Sequence, residues 1–209
     1  MKIDILTLFP DMFTGPFDES IIKRAQEKGL VEISIHDLRN RGEGKRRTVD
    51  DRPYGGGVGM ILRVDIIDAA LKELKGKDTR VILLDATGKT FDQKMARDLS
   101  KQKHVILIAG HYEGVDHRVH EHLVDEVVSI GNYVLTGGEI PAMVVTDAVT
   151  RLVPGVLEKP QATEIESFSE ENIVEYPQYT RPEDYKGHKV PEVLLSGNHK
   201  EIEKWRRQN

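Results

Sequence analysis

The stretch Ser129-Ile130-Gly131-Asn132-Tyr133-Val134-Leu135-Thr136-Gly137-Gly138-Glu139 decides how this chain is read. It follows a short run, Val124-Asp125-Glu126-Val127-Val128, with the character of a buried strand, and leads into a helical pattern that starts near Glu139. Three glycines at that junction let backbone approach a ligand closely, because no Cβ is in the way. In an open α/β sheet the ligand crevice lies beyond the carboxyl ends of the strands, where such a turn sits. The stretch therefore predicts an α/β fold with a small-molecule pocket.

Outward from it, apolar runs alternate with helical periodicity. Residues 3–9, 32–38, 80–84, 104–109 and 124–130 read as strands, several of them near-continuous in Val, Ile and Leu. Such runs suit a parallel sheet covered by helices on both faces. Val64, Ile67, Leu71 and Leu74 form a helix stripe, and Phe91, Met95 and Leu99 a second, with Thr90 and Gln93 as a capping box. Ile140, Val144, Ala148 and Leu152 form a third, with Pro141 in the first turn, where its missing N–H costs nothing. The alternation predicts an α/β domain over residues 1–157, a polar linker over 158–175 and a C-terminal segment over 176–209. In the last, recurring prolines break up residues 176–182, and Ile202 and Trp205 stand at helical spacing.

Composition bounds the function. The chain has 209 residues, 38% hydrophobic and 31% charged, the balance of a globular protein. No apolar run approaches the ~20 residues of a membrane helix, and the N-terminus, interrupted by Asp4, reads as a strand and not a signal peptide. The absence of cysteine excludes disulfides, thiolate nucleophiles and Cys-ligated zinc, and is compatible with the cytoplasm. A net charge of −5 argues against non-specific coating of nucleic acid. Local basic footprints remain at Arg39, Arg41, Lys45, Arg46 and Arg47, and at Lys204, Arg206 and Arg207.

Several familiar motifs fail. Gly88-Lys89-Thr90 ends like a phosphate-binding loop, but Leu83 occupies the first glycine position. Gly55-Gly56-Gly57-Val58-Gly59 fits no dinucleotide register, since Met60 and Leu62 stand where glycine is needed. His120 cannot begin a zincin motif, because Val124 replaces the second histidine. Three glycine-bearing loops at strand ends survive: Leu84-Asp85-Ala86-Thr87-Gly88, Ala109-Gly110-His111-Tyr112-Glu113-Gly114, and the opening stretch. Together they predict one pocket, rich in backbone donors, for a neutral or zwitterionic ligand with an adenine-like ring. A fourth loop, residues 47–60, packs Arg, Asp, Tyr and four glycines together. Arg46, Arg47 and Arg52 could pair with phosphates there and Tyr54 could stack on a base.

In their order these segments resemble the bacterial tRNA (guanine-N1)-methyltransferase family, TrmD, of the knotted SPOUT superfamily. The resemblance runs through Leu8-Phe9-Pro10, the 47–57 loop, Gly110-His111-Tyr112-Glu113-Gly114-Val115-Asp116, residues 129–142, Tyr179-Thr180-Arg181-Pro182 and Leu195-Ser196-Gly197-Asn198-His199. It implies a deep trefoil knot in the α/β domain, a small, truncated α-helical C-terminal domain that grips tRNA, and a cytoplasmic homodimer with sites shared between subunits. It implies S-adenosyl-L-methionine as methyl donor, held by Leu83, Leu84, Asp85, Ala86, Gly110, Tyr112, Glu113, Gly114, Ser129, Ile130, Gly131, Asn132, Tyr133, Val134, Leu135, Gly137, Gly138 and Pro141. Arg47, Asp50, Arg52, Tyr54, Ser196 and His199 are the RNA-binding candidates.

The implied reaction methylates N1 of the guanosine immediately 3′ of the anticodon. Glu166 is the implied base, standing where the family carries Asp, with Glu164 as a neighbouring competitor, and Arg151 is the implied cation for guanine O6. His111 stands where the family usually carries Arg, which makes one cation of that loop pH-dependent. The resemblance also implies a Mg2+ requirement, although no carboxylate cage stands out in the sequence. Two other readings stay open, a knotted methyltransferase for another RNA and a non-catalytic RNA-binding relative.

Overall fold

The computed structural model describes residues 1–159, 163, 166–168 and 174–208. The expected base competitor Glu164 lies outside these. The chain forms two compact units, Met1–Pro160 and Gln161–Asn209. In the first, the elements run β1 (Lys2–Thr7), α1 (Ser20–Glu27), β2 (Glu32–Asp37), β3 (Asp50–Asp51), β4 (Ile61–Leu62) and α2 (Val64–Leu74). They continue with β5 (Thr79–Thr90), α3 (Gln93–Ser100), β6 (His104–Ala109), α4 (His117–His122), β7 (Glu126–Ser129) and α5 (Glu139–Thr150).

Five strands form one sheet in the order β2-β1-β6-β5-β7, and every pairing in it is parallel. The continuous apolar strands resolve by parity into two cores. Ile3, Ile5, Ile82, Leu84, Val105 and Leu107 face α1, α3 and α5. Leu6, Leu8, Val81, Leu83, Ile106 and Ile108 face α2 and α4. This is the covered parallel sheet that the runs of Val, Ile and Leu predict.

Three elements depart from the sequence reading. Thr90 closes β5 and does not cap α3; Asp92 does, its Oδ1 accepting from Met95 N at 2.7 Å. Asp92 holds the extended backbone of an N-cap, at φ −134° and ψ 173°, directly before Gln93. Residues 85–88 lie within β5 but bulge from the ladder, because Leu84 and Lys89 both pair with Val128. On α5 the stripe Ile140, Val144, Ala148, Leu152 faces the core only in its second half: Ile140 and Val144 are 46% and 42% exposed, while Ala148 and Leu152 are half-buried against the core. Ala142, Val145 and Val149 are fully buried. The helix is apolar on both sides, and the 3,4 spacing of the buried set follows the 3.6-residue period better than a strict four.

The second unit holds a ribbon, β8 (Asp184–Tyr185) with β9 (His188–Lys189), then α6 (Glu192–Leu195) and α7 (His199–Gln208). The expected α-helical domain thus carries a short β-ribbon as well. Lys186 and Gly187, at φ 55° and 89°, make the two-residue turn that joins such strands. Tyr179 lies 6.3 Å from Trp205, ring to ring, and Arg206 lies 4.8 Å over Tyr176, which docks α7 on the proline-broken segment.

Asp4 on β1 is fully buried and tied across three strands. His36 Nε2 on β2 lies 2.8 Å from one oxygen, and His104 Nε2 on β6 lies 2.7 Å from the other. Lys2 Nζ lies 2.8 Å away. Burial would raise its pKa, but the hydrogen bonds from Lys2, His36 and His104 prevail and hold it below the usual carboxylate value. A depressed native pKa gives stability that is complete above the unfolded value, about 3.9, and is lost as pH falls through the lower native one. Asp4→Asn is expected to cost about 1–3 kcal/mol in urea unfolding at pH 7. The gap from wild type should narrow below about pH 4.

Candidate active site

Because the strands are parallel, their carboxyl ends share one edge, and the glycine loops converge there. The turn after β7 reaches back over the end of β6, where Gly138 N donates to Gly110 O at 2.7 Å. A Cβ on Gly138 would lie 2.7 Å from Ala109 Cα and 2.8 Å from Gly110 N, so the approach requires glycine. Phe91 N donates to Ser129 O at 2.7 Å and ties the end of β7 to the start of α3. Tyr112 takes a left-handed φ of 61°, which costs a non-glycine residue about 1–3 kcal/mol and marks the loop as held by its surroundings.

The loops enclose a cavity of about 340 Å3, within the usual range of small-molecule sites. Of the residues expected to hold the cofactor, all but Leu83 and Asn132 line it. Leu83 is fully buried in the α2 and α4 core, and Asn132 sits on the turn without facing the cavity. Thr87, His111, Val115, Val128 and Thr136 line it too. Thr87, His111 and Thr136 lay inside the quoted loops, and membership of those loops was the available signal.

The walls are apolar at Leu84, Ile130, Val134, Leu135 and Pro141, with Tyr112 and Tyr133 as the tyrosines. Asp85 and Glu113 are the carboxylates, and among the described residues no lysine or arginine lines the cavity. Burial would raise the Asp85 pKa, but Thr87 donates to Oδ1 from Oγ1 at 2.7 Å and from N at 2.8 Å. His120, 3.5 Å away, adds to this, and together these hold the carboxyl below its usual value. The cavity thus suits a ligand bearing a positive centre and hydrogen-bonding ring edges.

The arginine-rich loop is fastened beside it. Leu62 N donates to Gly114 O at 3.0 Å, and Glu113 N to Met60 O at 3.1 Å. Asp50 pairs with Leu62 in the β3–β4 ladder, and the loop between these strands carries Tyr54 fully exposed. Arg52 and Tyr54 border a cleft of about 770 Å3 that the start of α4 completes with His117 and Arg118. Arg47 donates to Asn40 Oδ1 at 3.2 Å, outside that cleft.

The remaining candidates lie elsewhere. Arg151 caps α5, its N donating to Asp147 O at 3.2 Å, and borders an apolar groove with Phe17, Met143 and Val144, not the cavity. Glu166, Ser196 and His199 belong to the second unit. Glu166 is half-buried, Ser196 Oγ donates to Val193 O at 2.7 Å, and His199 begins α7. Among the described residues, no three His, Cys, Asp or Glu side chains gather as a metal site would need.

A parallel α/β sheet whose carboxyl edge holds a glycine-walled cavity is the arrangement in which open α/β proteins bind small molecules. All 209 residues match the family model described as tRNA (Guanine-1)-methyltransferase TrmD, and the chain belongs to that family. It is 58% identical over 207 residues to the tRNA (guanine-N(1)-)-methyltransferase of Dictyoglomus turgidum, covering 99% of this chain and 84% of that one. It is 58% identical over 212 residues to that of Desulforudis audaxviator, covering 100% and 84%, and 52% identical over 209 residues to that of Geobacter sp. (strain M21), covering 99% and 84%.

Gly138→Ala tests the close approach. The added methyl meets backbone, which cannot swing aside, so a loss of about 1–3 kcal/mol is expected. Differential scanning calorimetry would read it as a lowered melting temperature.

Proposed function

We propose that the glycine-walled cavity binds S-adenosyl-L-methionine and that the protein transfers its methyl group to N1 of the guanosine immediately 3′ of the anticodon in tRNA. The observation that carries this reading is the cavity itself. It has backbone donors from three glycine turns, apolar walls for an adenine ring, and the carboxylates Asp85 and Glu113 without a lysine or arginine among the described residues. Those features fit a nucleoside with a sulfonium charge better than a polyphosphate. The bound cofactor supplies an electrophilic methyl, and the protein's own contribution is chiefly to hold the reacting groups in line.

Guanine N1 carries a proton at neutral pH, and a base must remove it. Glu166 is the proposed base, one methylene longer than the family's Asp, and Arg151 the proposed cation opposite the developing charge on O6. Arg47, Asp50, Arg52 and Tyr54 are proposed to engage the anticodon loop, and Ser196 and His199 the tRNA from the C-terminal domain, residues 176–209. The reading includes a homodimer. Its support is the exposed apolar face of Ile140 and Val144, continuous with the groove where Arg151 sits apart from the cavity of its own chain. Completion of each site by the partner would bring the two together.

The reading also includes a trefoil knot. Its support is the path of residues 130–138, which leave the sheet at edge strand β7 and cross back over β6 before entering α5. Mg2+ belongs to the expectation from the family. No step is assigned to it, because the described residues offer no cluster of three ligating side chains. The protein is proposed to work in the cytoplasm.

The test is transfer of labelled methyl to an unmodified tRNA transcript with guanosine 3′ of the anticodon, beside a guanosine-to-adenosine control. Label in the first alone is the expected result; label in both, or in neither, overturns the assignment. Glu166→Gln is expected to lower kcat by about 10²–10⁴-fold while Glu166→Asp keeps most of it, as single-turnover assays would show.

A further inference from the structure

At the cavity wall, His111 and the buried Glu139 form a pair that the proposed reaction does not use. Glu139, the first residue of α5, is 1% exposed. Thr7 Oγ1 donates to its Oε1 at 2.8 Å. Its Oε2 faces His111 Nδ1 at 3.6 Å, beyond hydrogen-bonding distance. His111 Nδ1 is itself buried, with no hydrogen-bond partner among the described residues. A buried, unpartnered imidazole nitrogen thus faces a carboxylate oxygen across a gap slightly too wide to bond, and a nitrogen so placed is almost always satisfied in a working protein.

The location gives the pair its meaning. The His111 ring lines the cavity and packs 4.6 Å from Phe9 and 5.4 Å from Tyr112, centre to centre. A Cβ on Gly137 would lie 2.4 Å from Glu139 Oε2 and 2.4 Å from His111 Nδ1. Glycine at 137 is therefore what lets the two side chains approach past the turn. Two pieces of the cavity wall, the tyrosine loop and the turn into α5, meet the end of β1 at this joint. Among the described residues, Glu139 is the one carboxylate within 4 Å of the imidazole.

We infer that His111 and Glu139 close into a hydrogen-bonded pair when the cofactor occupies the cavity, so that His111 is a positioning residue holding the Gly137–Gly138 turn over the ligand. The inference rests on the proposed S-adenosylmethionine site. A small rotation of the imidazole closes the gap. A ligand packed against His111 excludes water from that face, and a charge-assisted hydrogen bond strengthens in drier surroundings. By linkage, a contact that binding tightens must itself tighten binding.

The experiment is calorimetric titration of the full chain with S-adenosylhomocysteine, comparing wild type with His111→Ala, His111→Gln and His111→Arg, alongside melting of each unliganded protein. His111→Ala is expected to weaken binding by about tenfold or more, the scale of a lost hydrogen bond to a charged group. His111→Arg, which keeps an N–H donor facing Glu139, should recover most of that affinity, and His111→Gln part of it. The KM for S-adenosylmethionine should follow the same order while the KM for tRNA holds. If the alanine variant does not fold, the order of wild type, arginine and glutamine variants carries the test. Binding within twofold of wild type in all the variants, with only the melting temperatures lowered, means a structural contact and overturns the positioning role. A wild type that does not bind S-adenosylhomocysteine overturns the cofactor site, and this inference with it.

Discussion

The contact on which the site depends is the hydrogen bond from Gly138 N to Gly110 O, made where two stretches of backbone meet with no side chain between them. It draws the segment after β7 off the sheet edge and across the end of β6. That path turns a strand-to-helix connection into the roof of a cavity. It also sets the entry of α5, whose buried residues Ala142, Val145 and Val149 then pack in the same core as Ile5 and Leu107. Because the crossing is between backbones, no adjustment of rotamers can relieve it, and the glycine has no substitute.

Electrostatics follow from that geometry. The cavity edge collects acidic groups: Asp85, held ionised by Thr87 and His120, then Glu113, with Glu139 buried behind. Among the described residues no lysine or arginine lines it, and Arg52 and Arg118 border the separate cleft beside it. A cationic ligand and an anionic one call for opposite surroundings. On β1 the fold also buries an ionised carboxylate, Asp4, which joins three strands through histidines and a lysine. That carboxylate is surrounded by its own donors and turned to cohesion, whereas those at the cavity have an open face.

Much of the architecture was legible in the residues. The Val, Ile and Leu runs at 81–84 and 104–109 could only be buried parallel strands, and the 64–74 stripe became α2 at those very limits. The three glycine loops announced a common edge, because parallel strands bring every carboxyl end to the same side. Where the reading slipped, two local patterns competed. Thr90 satisfied a capping box on paper but was already engaged in a strand, and Asp92 stood ready two residues on. The apolar residues of α5 supported two faces, and sequence periodicity alone could not tell which would meet the sheet.

What the sequence by itself determined is the set of local commitments: covered parallel strands, helices between them, glycine turns where backbone must pass close, and membership of a methyltransferase family through motifs in a fixed order. What only the tertiary structure decided is which groups meet across long separations. Thr7 reaches Glu139, His104 reaches Asp4, and His111 stops just short of Glu139. These pairings are set by strand order and by the crossing at Gly138, and strand order is a property of the whole sheet. The free energy that selects it is summed over two cores, so no single stretch of residues carries its signature.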